Sequence, residues 1–176
     1  MTKQTNASPS QEFLFSLCAQ MSVSGFESLG ATYLCEQFGE YFDTIETDAV
    51  GNHLLWRRCG RADAPTVMVD AHFDEIGFLV TEVLEGGFVR IAPMGGIDPS
   101  IMQASDVILY GKKTLRGVVA SIPPHLRSAD QKGKLPDVDQ MTVDTGYDLP
   151  VEELSAIIPV GTPVGFAPCY SVLTGG

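Results

Sequence analysis

One short apolar run constrains the fold of this chain more than any other feature of its sequence. Residues 66–71 are nearly all apolar, and the run leads directly into His72, with Asp74 two positions later. A short apolar run of this kind is typical of a strand that is buried on both faces of an α/β sheet. The pattern therefore predicts a buried strand that carries His72 at its tip.

His72 and Asp74 are the candidate site residues. A neutral imidazole is a good zinc ligand, and a carboxylate or carbonyl partner normally fixes its tautomer. On an extended segment, residues i and i+2 point to the same side, so Asp74 is placed to orient His72. The same short pattern also occurs where a histidine only caps a buried strand near a turn. From this pattern alone, both interpretations stay open.

Two helices and a hairpin are predicted before this run. Apolar residues at helical spacing predict one helix over residues 11–21 and a second one that ends near Gly39. The stretch from Ser24 to Glu27 predicts a capping box at the start of the second helix. Two β-prone stretches, separated by turn residues 48–52, predict a hairpin.

After Gly77 the pattern changes to short strands with glycine and proline between them. This change predicts a small β-barrel, with strands at residues 78–83, 88–91, 107–110, 117–122 and 141–144. Residues 123–136 are predicted to form a loop, residues 151–154 a helical turn and residues 166–173 an extended segment. The predicted fold class is α/β, with a β-rich insertion near Ile76 and a return to the α/β layer near Phe166.

Charge and cysteine usage exclude several functions. The formal net charge is −11, and no cluster of Lys and Arg is present to neutralise phosphates, which argues against a nucleic-acid partner. No apolar run is long enough to span a membrane, and residues 1–10 lack the features of a signal peptide. The cysteines have no C-x-x-C pair and are predicted to be buried thiols of a cytoplasmic protein: Cys18, Cys35, Cys59 and Cys169.

The remaining candidates are weaker. His53 lies in a predicted strand and is interpreted as structural. His125 lies in the predicted 123–136 loop, where it is either a solvated residue or part of a loop that reaches an active site, possibly in another subunit. Gly95 and Gly96 lack the helix start and the basic residue of a phosphate-binding loop, so a tight turn is predicted there.

Six segments in order along the chain resemble one known family, the co-catalytic metallo-aminopeptidases of the glutamyl and deblocking group. This family includes the tetrahedral aminopeptidases, and some members have been labelled cellulases or endoglucanases. The segments are Val23-Ser24-Gly25-Phe26-Glu27, Thr47-Asp48-Ala49-Val50-Gly51-Asn52, Ala71-His72-Phe73-Asp74-Glu75-Ile76-Gly77-Phe78, Gly95-Gly96-Ile97-Asp98-Pro99, Pro123-Pro124-His125-Leu126 and Asp144-Thr145-Gly146.

The resemblance implies a zinc-peptidase-like α/β catalytic domain that begins in residues 1–76 and resumes in residues 166–176. A β-barrel inserted at residues 77–165 would serve homo-oligomer assembly or act as a lid. The resemblance also implies peptide substrates, trimmed from the N-terminus, and two divalent metal ions, zinc or cobalt. His72 would bind one of these metals, and Asp74 would be the catalytic-site carboxylate that orients it.

The sequence departs from the family pattern mainly in length. The other metal ligands and the general-base glutamate of the family have no matching positions here. We therefore expect the N-terminal portion of an aminopeptidase that is inactive as this chain alone and tends to self-associate. The alternative is a non-catalytic binding or oligomerisation module that retains the His-x-Asp pattern as a relic. A glycoside hydrolase would need two carboxylates flanking a cleft, and the sequence offers no clear pair.

Overall fold

The computed structural model describes residues 8–120 and 136–170. These residues fall into two compact units, one formed by residues 8–74 with Tyr170 and the other within Glu75–Cys169. No helix in the described ranges is long and apolar enough to cross a membrane. The predicted assignment of the chain to catalytic and assembly domains stays a prediction.

Two helices open the first unit, as the apolar spacing predicts. Helix α1 spans Pro9–Cys18 and helix α2 spans Ser28–Phe38. A capping box that sequence analysis missed begins α1. The Gln11 amide donates to the Ser8 hydroxyl (3.4 Å), and the Ser8 amide donates to the Gln11 side chain (2.8 Å). This reciprocal pair satisfies amide groups that the first helical turn leaves without partners.

The capping box predicted at the start of α2 is wrong. No side chain caps this helix, and its N-cap residue is Glu27 itself. The Glu27 carboxylate instead accepts a hydrogen bond from the Gly25 amide at 2.6 Å. Because α2 begins one residue after Glu27, the Ser24 hydroxyl is not in the position from which a capping side chain reaches the first turn.

A two-stranded hairpin follows the helices. Strand β1 (Thr44–Thr47) pairs antiparallel with strand β2 (His53–Trp56), and Thr47 is opposite His53. The Asp48 carboxylate closes the turn by accepting from the side chain and amide of Asn52 and from the amide of Val50. These hydrogen bonds, led by the one from the Asn52 side chain, lower the pKa of Asp48. The predicted hairpin is confirmed.

The second unit is built on a closed barrel of six antiparallel strands, which confirms the predicted small β-barrel. Around the barrel the strands follow the order β3-β4-β7-β6-β5-β8. They are β3 (Gly77–Val83), β4 (Phe88–Met94), β5 (Asp106–Tyr110), β6 (Thr114–Ala120), β7 (Thr142–Asp144) and β8 (Pro163–Phe166). Closure pairs every strand on both edges and leaves none open to solvent.

Alternating side chains of these strands fill the barrel interior. Strand β6 shows the pattern clearly, since Leu115, Gly117 and Val119 are buried while the residues between them are exposed. Helix α3 (Val151–Ile157) adds Leu154 to the core, and Ile158 follows directly after it. The fully buried side chains of the cluster include Phe78, Val80, Val89, Ile91, Met102, Val107, Leu109, Val143 and Val164. Burial of each large apolar side chain contributes about 1.5–3 kcal/mol, so the unit has a core of its own.

Candidate metal site

The apolar run before His72 does not form the predicted strand. Residues 66–71 are assigned to no strand, and within the described residues they pair with no neighbour. Val67, Met68 and Val69 are 82%, 84% and 92% exposed. The prediction of a strand buried on both faces is therefore wrong for this chain, because a buried strand needs partners on both edges and coverage on both faces.

His72 and Asp74 nevertheless lie together, as the i, i+2 spacing predicts. His72 Nδ1 is 2.9 Å from the backbone carbonyl oxygen of Asp74 and 3.3 Å from its Oδ1. Both partners are acceptors, so the arrangement favours the tautomer with a proton on Nδ1. The His72 side chain is 85% exposed, and the Asp74 side chain is 45% exposed. The Nε2 lone pair of this tautomer is thus accessible to a ligand from solvent.

Phe73, the residue between His72 and Asp74, packs against helix α2 of the same unit. Gly30 of α2 is buried, and a Cβ atom there would lie 2.7 Å from Phe73 Cε1 and 2.8 Å from the Met21 carbonyl oxygen. The Phe73 ring therefore occupies the space that any larger residue at position 30 would need. Sequence analysis missed Gly30, although a glycine inside a helix costs about 1 kcal/mol relative to alanine and so signals a packing role.

The donor chemistry fits one metal ligand but not a complete metal site. An imidazole whose second nitrogen is hydrogen-bonded to a carbonyl or a carboxylate is the usual form of a metal-binding histidine. Zinc sites use three or four protein ligands. Over residues 8–120 and 136–170, no group of three or more His, Cys, Asp and Glu side chains lies close enough to hold a metal ion. These residues supply one candidate ligand and its orienting partner.

The other histidines and the cysteines occupy different settings. His53 lies on β2, where its Nδ1 is 3.0 Å from Thr47 Oγ1. His125 and nearly all of the predicted 123–136 loop lie outside the described residues. The prediction of buried thiols is wrong, since Cys35 is half-buried and the other three are exposed. Wide spacing indicates the lack of a C-x-x-C site but carries no information on burial.

The barrel-containing fold places the protein among aminopeptidase structures. It is similar to the TET aminopeptidase of a marine sediment Thaumarchaeota archaeon, with a TM-score of 0.85 and 26% sequence identity over 96% of this chain and 48% of that one. It is also similar to the Pyrococcus horikoshii TET1 peptidase, with a TM-score of 0.76 and 25% identity over 94% of this chain and 48% of that one.

Sequence comparison identifies the protein family. Residues 51–176 match the M42 glutamyl aminopeptidase family, and the chain belongs to this family. The lysyl aminopeptidase of Pyrococcus furiosus is 34% identical over 93% of this chain and 47% of its own length. The chain thus spans about half the length of the relatives that it matches. The resemblance seen in the six sequence segments is confirmed.

Proposed function

We propose that this chain forms the His72-bearing part of a two-metal aminopeptidase that removes residues from the free N-terminus of peptides. The observation that carries the proposal is the exposed His72 ring, whose Nδ1 is held by two acceptors of Asp74 while its Nε2 faces solvent. Membership of the M42 family and the similarity to a lysyl aminopeptidase supply the reaction class. The proposed location is the cytoplasm.

His72 is proposed as a ligand of one of two divalent metal ions, zinc or cobalt, and Asp74 as the residue that positions it. When bound, such ions polarise the scissile carbonyl and activate water. The proposed role of Asp74 is to prepare the His72 ring as a metal ligand, and it takes no direct part in that chemistry. By accepting from Nδ1–H it keeps the Nε2 lone pair available, and its carboxylate makes the imidazole a stronger donor.

Cobalt is expected to bind at His72 and to bind more weakly when Asp74 is changed. In proton NMR, paramagnetic Co²⁺ should broaden the His72 imidazole signals, which the His72→Asn variant identifies by their disappearance. Asp74→Asn keeps the side-chain size but takes away its charge, and it should lower the affinity about tenfold, since second partners of metal-bound histidines typically contribute that much. His72 signals that stay sharp at millimolar Co²⁺ would contradict the assignment.

The 176-residue chain by itself is expected to show no aminopeptidase turnover, even with zinc or cobalt added. The reason is the ligand count in the part of the chain that the structure describes, where one candidate imidazole does not meet the three or four protein ligands of a stable zinc site. The measurement is release of amino acids from unblocked peptides by the purified chain. Metal-dependent turnover that survives His72→Asn would show that the activity belongs to another site or a contaminant.

Homo-oligomerisation through the barrel is proposed as a second property. The barrel has its own closed sheet and core, which suits a module that assembles independently. The P. horikoshii TET1 peptidase is described as assembling into a tetrahedron or a large octahedral shell. The same independence favours the alternative function, a non-catalytic binding or oligomerisation module in which the His72–Asp74 pair is a relic. Cobalt binding at His72 separates the two functions, since a relic need not retain it.

A further inference from the structure

A cluster of three reactive or polar side chains joins helix α2 to the β1–β2 hairpin. Cys35 Sγ on α2 lies 3.7 Å from His53 Nδ1 on β2, a hydrogen-bond distance for sulfur. Thr47 Oγ1 on β1 lies 3.0 Å from the same nitrogen. Over the described ranges, no other cysteine lies at hydrogen-bond distance from a histidine. The cluster plays no part in the aminopeptidase proposal.

We propose that Cys35 is a site of covalent modification by small, uncharged, soft electrophiles, with His53 as the base that accepts the thiol proton. The thiolate is the reactive form of cysteine, and an adjacent imidazole is the usual means of producing it during attack. In the reaction with an alkyl halide, the sulfur lone pair forms the new S–C bond as the thiol proton moves to Nδ1. The carbon–halogen bond breaks, and the halide leaves with its electron pair. The imidazolium then returns the proton to water.

Thr47 shares the ring nitrogen with Cys35, since its Oγ1 is closer to Nδ1 (3.0 Å) than the thiol sulfur is (3.7 Å). The proposal requires the tautomer in which Nδ1 carries no proton, so the hydroxyl donates to its one lone pair in the resting state and turns away as the thiol proton arrives. After His53 has taken the thiol proton, the hydroxyl oxygen accepts from Nδ1–H. Because a hydroxyl can serve in both roles, the same contact stabilises the ring before and after proton transfer.

Partial burial distinguishes Cys35 from the other thiols of its unit. Cys35 is half-buried, whereas Cys18 and Cys59 are exposed. Reactive cysteines are typically accessible but set in a defined environment. A small electrophile can reach Cys35, and its reaction differs from that of Cys18 and Cys59 by the presence of a base. These two exposed thiols are therefore internal references within the same chain.

The experiment measures alkylation of each cysteine by iodoacetamide at one fixed pH near neutrality, with peptide mapping by mass spectrometry. The full chain is compared with His53→Asn and His53→Gln. We expect the Cys35 rate to fall about tenfold in both variants, below the 10²–10⁴-fold effect of a fully aligned enzymatic base. The rates at Cys18 and Cys59 are expected to stay unchanged.

The direction of the effect separates loss of a base from loss of structure. His53 pairs with Thr47 in the hairpin, so a variant that opens the hairpin would expose Cys35 and accelerate its alkylation. A slower reaction confined to Cys35 therefore supports the proposal. A Cys35 rate that is unchanged or faster, or a fall that Cys18 and Cys59 share, would overturn it.

Discussion

Gly87→Ala is expected to destabilise the β-barrel by about 4 kcal/mol, since it combines backbone strain with overpacking. Gly87 has a φ of +82°, in the left-handed region that side chains other than glycine rarely adopt. A Cβ atom there would overlap the backbone carbonyl oxygen of Tyr147. Backbone cannot move aside as a flexible side chain can. Thr145, whose amide and hydroxyl both donate to the Gly87 carbonyl, would be displaced as well.

Gly146→Ala is the matched control for this effect. Gly146 also has a positive φ, +70°, but a Cβ atom there would meet nothing within 4 Å. Its cost should be only the conformational one, about 1–2 kcal/mol. Urea unfolding followed by far-UV circular dichroism measures both variants. Fluorescence of Trp56, the one tryptophan of the chain, reports on the other unit. Similar losses for the two variants would contradict the clash.

Local patterns predicted most of the barrel because the sequence of each strand by itself indicates which side chains face the interior. The buried and exposed positions of β6 alternate with the period of two that a strand with one inward face requires. The turn at Glu85–Gly87 lies between β3 and β4, and its two glycines adopt the positive φ values that the connection needs. Short turns join β3 to β4 and β5 to β6, so in these two pairs the sequence neighbours are also sheet neighbours.

The apolar run at residues 66–71 shows where local pattern stops being informative. Its apolar composition makes burial favourable. Burial also requires neighbouring strands and covering layers, and the run itself contains no information about these. In this chain Val67, Met68 and Val69 are exposed. The cysteines show the same limit, because a small apolar side chain can lie on a surface without a local signal. Composition and periodicity describe one element at a time.

The candidate site was predictable in part. The i, i+2 spacing of His72 and Asp74 correctly brings the carboxylate near the ring. The stronger contact, however, is with the Asp74 backbone carbonyl, and a carbonyl is present at every residue and gives no sequence signal. The support from Gly30 beneath Phe73 was likewise missed, since it joins residues far apart in the chain.

Gly30→Ala is expected to destabilise the first unit by about 1 kcal/mol and to change the setting of His72. In a helix without other contacts the same substitution should stabilise by about 1 kcal/mol. Here the added methyl group meets the Phe73 ring and the Met21 carbonyl oxygen, each at less than 3 Å. Overpacking of this kind costs about 1–3 kcal/mol, which outweighs the gain in helix propensity. Because Phe73 lies between His72 and Asp74, its displacement should also alter the imidazole NMR signals of His72.

Gly39→Ala and a double-mutant cycle with Phe73→Ala test the contact itself. A Cβ atom at Gly39 would approach only Ile45 Cδ1, at 3.8 Å, so that variant should not destabilise the unit and should leave the His72 signals unchanged. If Gly30 and Phe73 are in direct contact, Gly30→Ala should cost less in the Phe73→Ala background, because the ring that it displaces is already gone. Equal costs in the two backgrounds, or His72 signals that ignore both substitutions, would show that α2 does not position the candidate ligand.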